Sequence, residues 1–416
     1  MAVTTARSSS ISVQSENQVS YVLPMTLMVS LYFSIGFITA LNDILIPHFK
    51  LLFSLNNVHA LLVQFCFFGA YFLMSLPSGK IVGRIGYKRG IIVALCTMGV
   101  GLLLFVPASI AISYPVFLFA LFVVGSGLAL LQVAINPYVG ALGKPESAAA
   151  RLNLCGGLNS LATTIAPKLG ATFIFVATGA TAAELARSVR TPYVILAAFA
   201  FMVAIVTYFV HLPELIEKSP ESSTDRGGAW QFTHLRLGAL AIFTYVGTEV
   251  AIGSILINFL GQPAMGSLSR GAAAGYVSLY WGGAMVGRFI GAYALIHVRA
   301  ERALAAVATS ALVLVATAIF GHGHVAMWAI VSCGLFNSVM WPCIFPLSLK
   351  GLGRFTGQGS GLLVAMIVGG AIIPMAQGWL ADKFGYQPSF IIVLLCYAYL
   401  IYFALSGYKV RQPSHL

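Results

Sequence analysis

The chain has 416 residues, of which 59% are hydrophobic and only 8% charged, with a mean hydropathy of +0.91; soluble domains carry roughly 25% charged residues. That excludes a water-soluble globular protein and leaves no length for a large soluble domain beside the apolar runs. The net charge of +12 would suggest nucleic acid as partner in a soluble protein, but here the basic residues stand in short clusters between apolar runs and read as membrane-topology signals.

Residues 1–20 are polar and Ser-rich, lack the apolar core of a cleaved leader, and are expected to form a disordered cytoplasmic N-terminus. Apolar runs bounded by Pro, Gly and charge then predict twelve membrane-spanning helices, near 22–47, 58–82, 88–110, 114–142, 148–178, 189–212, 235–261, 271–297, 300–321, 323–351, 356–381 and 386–408. The first six make a bundle over 21–212 and the last six a bundle over 235–408. The charged stretch 213–234 is the cytoplasmic linker between them, and 409–416 is a cytoplasmic tail. With the N-terminus in the cytoplasm, 16 of the 23 Lys and Arg fall on that side, six on the other, and Arg288 within a span. This asymmetry places both termini inside.

The halves resemble each other. Aligning Gly36 with Gly247 superposes GFITALNDILIPHF on GTEVAIGSILINFL; FFGA (67–70) pairs with WGGA (281–284), and ALGK (141–144) with GLGR (351–354). Each half starts on the same side, so the expected fold is an all-α membrane protein of two parallel six-helix pseudo-repeats around a midplane site. Cys66, Cys96, Cys155, Cys333, Cys343 and Cys396 form no C-x-x-C pair and read as lone buried thiols. No metal-ligand cluster, P-loop or H-E-x-x-H motif is present, so an intramembrane enzyme has no catalytic constellation to rest on.

Of the 11 acidic residues, only Asp43 and Glu249 lie well within predicted spans, and Arg288 is the one intramembrane cation. Each costs about 2.5–3.5 kcal/mol at a helix centre even on the gentler insertion scale, so each needs a partner or a function. Asp43, beside Asn42, follows no basic residue in its span; it could bind and release a proton as its exposure alternates, or stand solvated at a cavity mouth. Glu249 and Arg288 fall at similar depth on neighbouring spans. Either they form a structural ion pair, or Glu249 contacts substrate while Arg288 holds it.

The segments LNDILIPHFK (41–50), VQFCFFGAYFLMSLPSGKIVGRIGYKRG (63–90), LLQVAINPYVGALG (130–143), RLNL (151–154), YVGTEVAIGS (245–254), YWGGAMVGRFIG (280–291) and the stretch 350–385 together resemble the major facilitator superfamily. Within it, the chain is similar to the fucose/glucose/galactose:proton symporters, in particular their bacterial glucose/galactose branch. The resemblance covers most of the spans. It implies a monomeric, multi-pass transporter of the bacterial inner membrane, moving a neutral hexose with a proton as coupling ion and no cofactor. It assigns proton coupling to Asp43 of the LND motif. It also aligns Asn159 with a cavity Asn, and Gln132 with a second acidic position of the fucose transporters, where an amide cannot titrate. GKIVGRIGYKRG resembles the superfamily's gating loop through Gly79, Arg84, Gly86, Lys88 and Arg89, although Gly83 replaces its usual Asp; a plain cytoplasmic anchor explains the cations equally well.

Sugar recognition needs convergent amides and carboxylates and an aromatic face. The candidates are Asn42, Gln64, Gln132, Asn136, Asn159, Glu249, Asn258, Asn337 and Gln377, with Trp281 and Trp341 for stacking. Gly156 and Gly157 stand where relatives carry Gln and a small residue. Their bareness either enlarges the cavity, admitting a bulkier sugar such as N-acetylglucosamine, or serves close helix packing. A passive uniporter, a fucose transporter and a drug exporter of the same fold are the competing readings.

Overall fold

In the computed structural model, the residues described are 12–13, 21–55, 57–174, 181–213, 215–216 and 228–410. Nearly all are helical. The rods are α1 (Val22–Leu52), α2 (Asn57–Ile85), α3 (Tyr87–Leu103, continued by Phe105–Ala111), α4 (Tyr114–Ala141), α5 (Ala148–Ile174) and α6 (Arg190–Phe209), then α7 (Thr233–Leu260), α8 (Arg270–His297), α9 (Ala300–Phe320), α10 (Gly323–Asn337, continued by Met340–Leu349), α11 (Thr356–Ala365 and Gly369–Phe384) and α12 (Ile391–Tyr402). A two-residue antiparallel ladder, Ser12–Val13 with Leu215–Ile216, is the only strand pairing among the described residues.

Ten of these rods are long and apolar enough to cross a bilayer. The expected spans at 148–178 and 271–297 correspond to α5 and α8, which are not among the ten. Both are long enough, at 27 and 28 residues, or about 40 Å at 1.5 Å per residue. Their hydropathy is diluted by Arg151, Asn153, Asn159 and Arg288 and by many small residues. Three expected single runs are broken, two of them where proline removes a donor. Pro107 cannot donate to Leu103 in α3, Pro342 cannot donate to Ser338 in α10, and Pro374 follows the 3-10 turn Met366–Val368 in α11.

The packing repeats six helices later. In the first half α1 packs on α5, α2 on α4, α3 on α4 and α3 on α6; in the second α7 packs on α11, α8 on α10, α9 on α10 and α9 on α12. The aligned glycines do the same work in each half. A Cβ on Gly36 would strike the Asn159 carbonyl of α5, and one on Gly247 would strike Ile373 of α11. Likewise Gly143 and Gly353, paired by ALGK and GLGR, both hold positive φ, +123° and +51°. Between the halves the contacts obey the same symmetry, α2 with α11 and α5 with α8.

Gly369 is pressed against the Phe243 carbonyl of α7. Gly369→Ala is therefore expected to destabilise the second half by about 1–3 kcal/mol, as overpacking does, seen as a lower thermal midpoint of the purified protein.

Candidate functional site

Residues 79–86, 138–151, 229–236, 299–301 and 349–358 share one face of the bundle, joined by contacts such as His234 Nε2 to the Lys350 carbonyl (2.8 Å) and Ala229 N–H to Gln358 Oε1 (3.3 Å). This is the face that the basic residues mark, and here it is called the basic face. The opposite face is closed within each half by His48 Nε2 to the Leu185 carbonyl (2.9 Å) and by Gln387 donating to Gly321 (2.7 Å).

The halves meet toward the basic face. Gly79 lies on the Gly357 carbonyl and Gly361 on the Ser75 carbonyl, so that a Cβ on either glycine would stand 2.5 Å from backbone oxygen. Ser360 donates to the Val133 carbonyl of α4 at 2.8 Å, and on the other flank Asn153 donates to the Arg288 carbonyl at 2.8 Å. Gly86 holds φ +83° in the single-residue turn between α2 and α3. Arg84 and Arg89 are exposed, Lys88 half-buried, and none makes a salt bridge among the described residues. In this loop segment the contact between halves is made by glycine, while the three cations stand as an anchor would. A Cβ at Gly83, the position of the missing Asp, meets nothing.

At mid-depth both halves line a cavity of about 270 Å³. From the first half come Tyr32, Thr39, Tyr71, Gln132, Asn136, Gly156 and Asn159; from the second, Tyr245, Glu249, Arg288 and Trp341. Helix geometry explains the set: Ile35 and Thr39 on α1, Phe67 and Tyr71 on α2, Gln132 and Asn136 on α4, and Tyr245 and Glu249 on α7 are spaced four apart and share a face. Gln132 donates to the Tyr71 hydroxyl (2.9 Å), Asn159 to the Tyr32 carbonyl (2.9 Å), and the Tyr32 hydroxyl to Asn136 Oδ1. Asn136 Nδ2 is buried without a partner. Trp341 stacks on Phe345 at 5.4 Å between centroids. A second cavity, about 600 Å³, opens on the basic face, and Asn136 and Leu152 line both. The partition between the two is thus only a side chain or so thick.

Of the two readings of Glu249 and Arg288, the direct ion pair is corrected: no salt bridge joins them, although Arg288 acts electrostatically on Glu249, and Arg299–Glu301 (2.5 Å) is the one salt bridge among the described residues. Tyr245 donates to Glu249 Oε2 at 3.0 Å, while the Arg288 guanidinium crosses to α5 and rests over Gly156. Phe289 rests over Gly157 in the same way. The two bare glycines therefore serve close packing, and their space is filled.

Other candidates fall outside the cavity lining. Asn337 is fully buried in a network, donating to Tyr280 (3.0 Å) and accepting from Tyr397 (2.6 Å), and Tyr280 in turn donates to the Glu249 carbonyl (2.9 Å). Gln377 is buried with neither amide atom partnered. Asn258 is exposed, and Trp281 lies against Gly253. The side chains of Asn42, Asp43 and Gln64 lie outside the described residues. The tyrosines Tyr32, Tyr71 and Tyr245 are the lining residues that the reading by residue type missed; Tyr245 and Glu249 at i, i+4 were the available signal.

Comparison with known proteins places this geometry. Residues 28–373 match the Major Facilitator Superfamily. The chain is 49% identical to a glucose/galactose transporter of Brucella abortus, over 95% of this chain and 97% of that protein. It is 33% identical to the L-fucose-proton symporter of Escherichia coli, over 92% and 93%. The crystal structure of the E. coli fucose:proton symporter superposes with a TM-score of 0.85 at 31% identity, covering 94% of this chain and 99% of that one. A second structure of that symporter, in the outward conformation, matches equally well, with a TM-score of 0.85 at 32% identity and the same coverage.

Proposed function

This chain belongs to the Major Facilitator Superfamily, and on that premise we propose that it takes up a neutral hexose of the glucose/galactose class by alternating access, driven by a proton. It is a multi-pass membrane transporter; its seat is proposed to be the bacterial inner membrane with both termini cytoplasmic, the basic face inward.

The observation that carries the reading is the cavity shared by the halves. It sets amides, tyrosine hydroxyls and one carboxylate around an indole, the chemistry that recognises a polyhydroxylated ring with one apolar face. Its volume suits one monosaccharide-sized ligand and not a large amphiphile. The names of the relatives, a glucose/galactose transporter and a fucose-proton symporter, support the same substrate class. Close contact toward the basic face supports an arrangement closed to the cytoplasm.

Uptake of a sugar panel into proteoliposomes tests it. Hexoses are expected to enter and to compete with one another, whereas hydrophobic cations are not; the reverse selectivity would leave a drug exporter. Trp341→Ala, which removes the indole from the cavity wall, is expected to raise the hexose KM by about tenfold or less, the worth of one aromatic contact.

A further inference from the structure

The cavity holds two opposite charges that are not satisfied. Glu249 Oε1 and Arg288 Nε are both buried without a hydrogen-bond partner, though both residues line the same cavity. A buried charge that lacks part of its hydrogen bonding is strongly destabilising, so these atoms call for a partner from the cavity, water or a ligand. Two completions are available: the pair collapses onto itself, or a ligand comes between.

The packing favours the second. Gly156 gives Arg288 room beside α5: the guanidinium occupies the space where any larger residue would place its Cβ, 2.5 Å from Nη1. The Arg288 backbone is pinned to the same helix by Asn153. On the other side the Tyr245 hydroxyl holds one Glu249 oxygen, and Tyr280 holds the Glu249 carbonyl. Glu249 is thus held by Tyr245 and Tyr280, while Arg288 acts electrostatically on both Glu249 and Tyr245 without closing a direct salt bridge.

We propose that Glu249 and Arg288 together form a diol-reading subsite, in which one sugar hydroxyl donates to the Glu249 carboxylate and the oxygen of the adjacent hydroxyl accepts from the Arg288 guanidinium. This inference rests on the hexose reading above and deepens it. A vicinal pair of hydroxyls supplies one donor and one acceptor side by side, one for each charge. Gly156 is a positioning residue: it touches no sugar but holds Arg288 open.

The test is binding of one hexose and its series of monodeoxy analogues to purified wild type, Glu249→Gln, Arg288→Gln and Gly156→Ala, each checked for monodispersity. In wild type, removing either of two adjacent hydroxyls is expected to weaken binding on the order of tenfold to a hundredfold, as for hydrogen bonds to charged groups. Glu249→Gln should shrink the penalty at one of these positions, and Arg288→Gln should shrink it at the other. Gly156→Ala needs only the end of a flexible side chain to move, so it folds; by driving Arg288 off its seat it should weaken every hexose on the order of tenfold and flatten the deoxy penalties. Penalties that stay unchanged in the two charge variants, or a Gly156→Ala protein that binds like wild type, overturn the subsite while leaving hexose transport standing. A wild type that binds no hexose overturns the functional reading itself.

Discussion

With Asp43 replaced by asparagine, proteoliposomes bearing a membrane potential are expected to equilibrate hexose without concentrating it. Charge moving with one proton supplies about 2.3 kcal/mol per 100 mV, so the wild type should accumulate hexose on the order of fifty-fold at that potential, and the variant about onefold. The argument starts from α1. Ile35 and Thr39 line the cavity, and Asp43 is the next position in the chain at the same four-residue spacing. Gln132 is an amide that donates to Tyr71 and cannot take up a proton. Glu249 is engaged by Tyr245. On the proposed function, coupling is therefore expected to rest on Asp43. Counterflow, which exchanges sugar without net driving force, should survive in Asp43→Asn. Loss of counterflow along with accumulation would mean that Asp43 binds the sugar and does not merely couple it.

The second large effect is expected at the seam of the halves. Gly361→Ala places a methyl carbon 2.5 Å from the Ser75 carbonyl oxygen, and backbone cannot yield as a flexible side chain does. The arrangement closed toward the basic face must open or distort. A bias of about 2 kcal/mol shifts a two-state population roughly thirtyfold, so hexose uptake should fall at least tenfold. With the six native cysteines replaced, a Thr39→Cys probe, in the wall of the mid-depth cavity and not of the one that opens on the basic face, should label faster from the basic face. Gly83→Ala is the matched comparison, since nothing lies within 4 Å of its new methyl. It should transport within about twofold of wild type. Equal loss in both variants would show that general helix damage, not the seam, is responsible.

Much of the architecture is legible in the chain because a bilayer enforces it. Backbone groups in lipid must be paired internally, so apolar runs become helices, and even the pairing of Gly36 with Gly247 reappears as the same close approach in each half. The site is legible by residue type and depth, but not by rotation about each helix axis. Gln132, Asn136, Asn159, Glu249 and Trp341 turn toward the cavity, while Asn337 and Gln377, equally polar and also within spans, are packed elsewhere. The separation of Glu249 from Arg288 was hidden for the same reason. It depends on a glycine of the other half, 132 positions before Arg288 in the chain, whose missing side chain gives the guanidinium somewhere else to rest. The residues that dilute the hydropathy of α5 and α8 include Asn159, Gly156 and Arg288 of the cavity wall. The two spans that read most weakly as membrane helices are thus two that contribute to the site.

The central claim is that a hexose bound between the halves moves together with a proton. It is tested most directly by adding hexose to weakly buffered vesicles containing the protein, with no imposed gradient, and recording external pH. The account predicts alkalinisation that starts with hexose addition, saturates with its concentration, and is absent in Asp43→Asn. Hexose entry without any pH change would contradict coupling, and the chain would be a passive carrier.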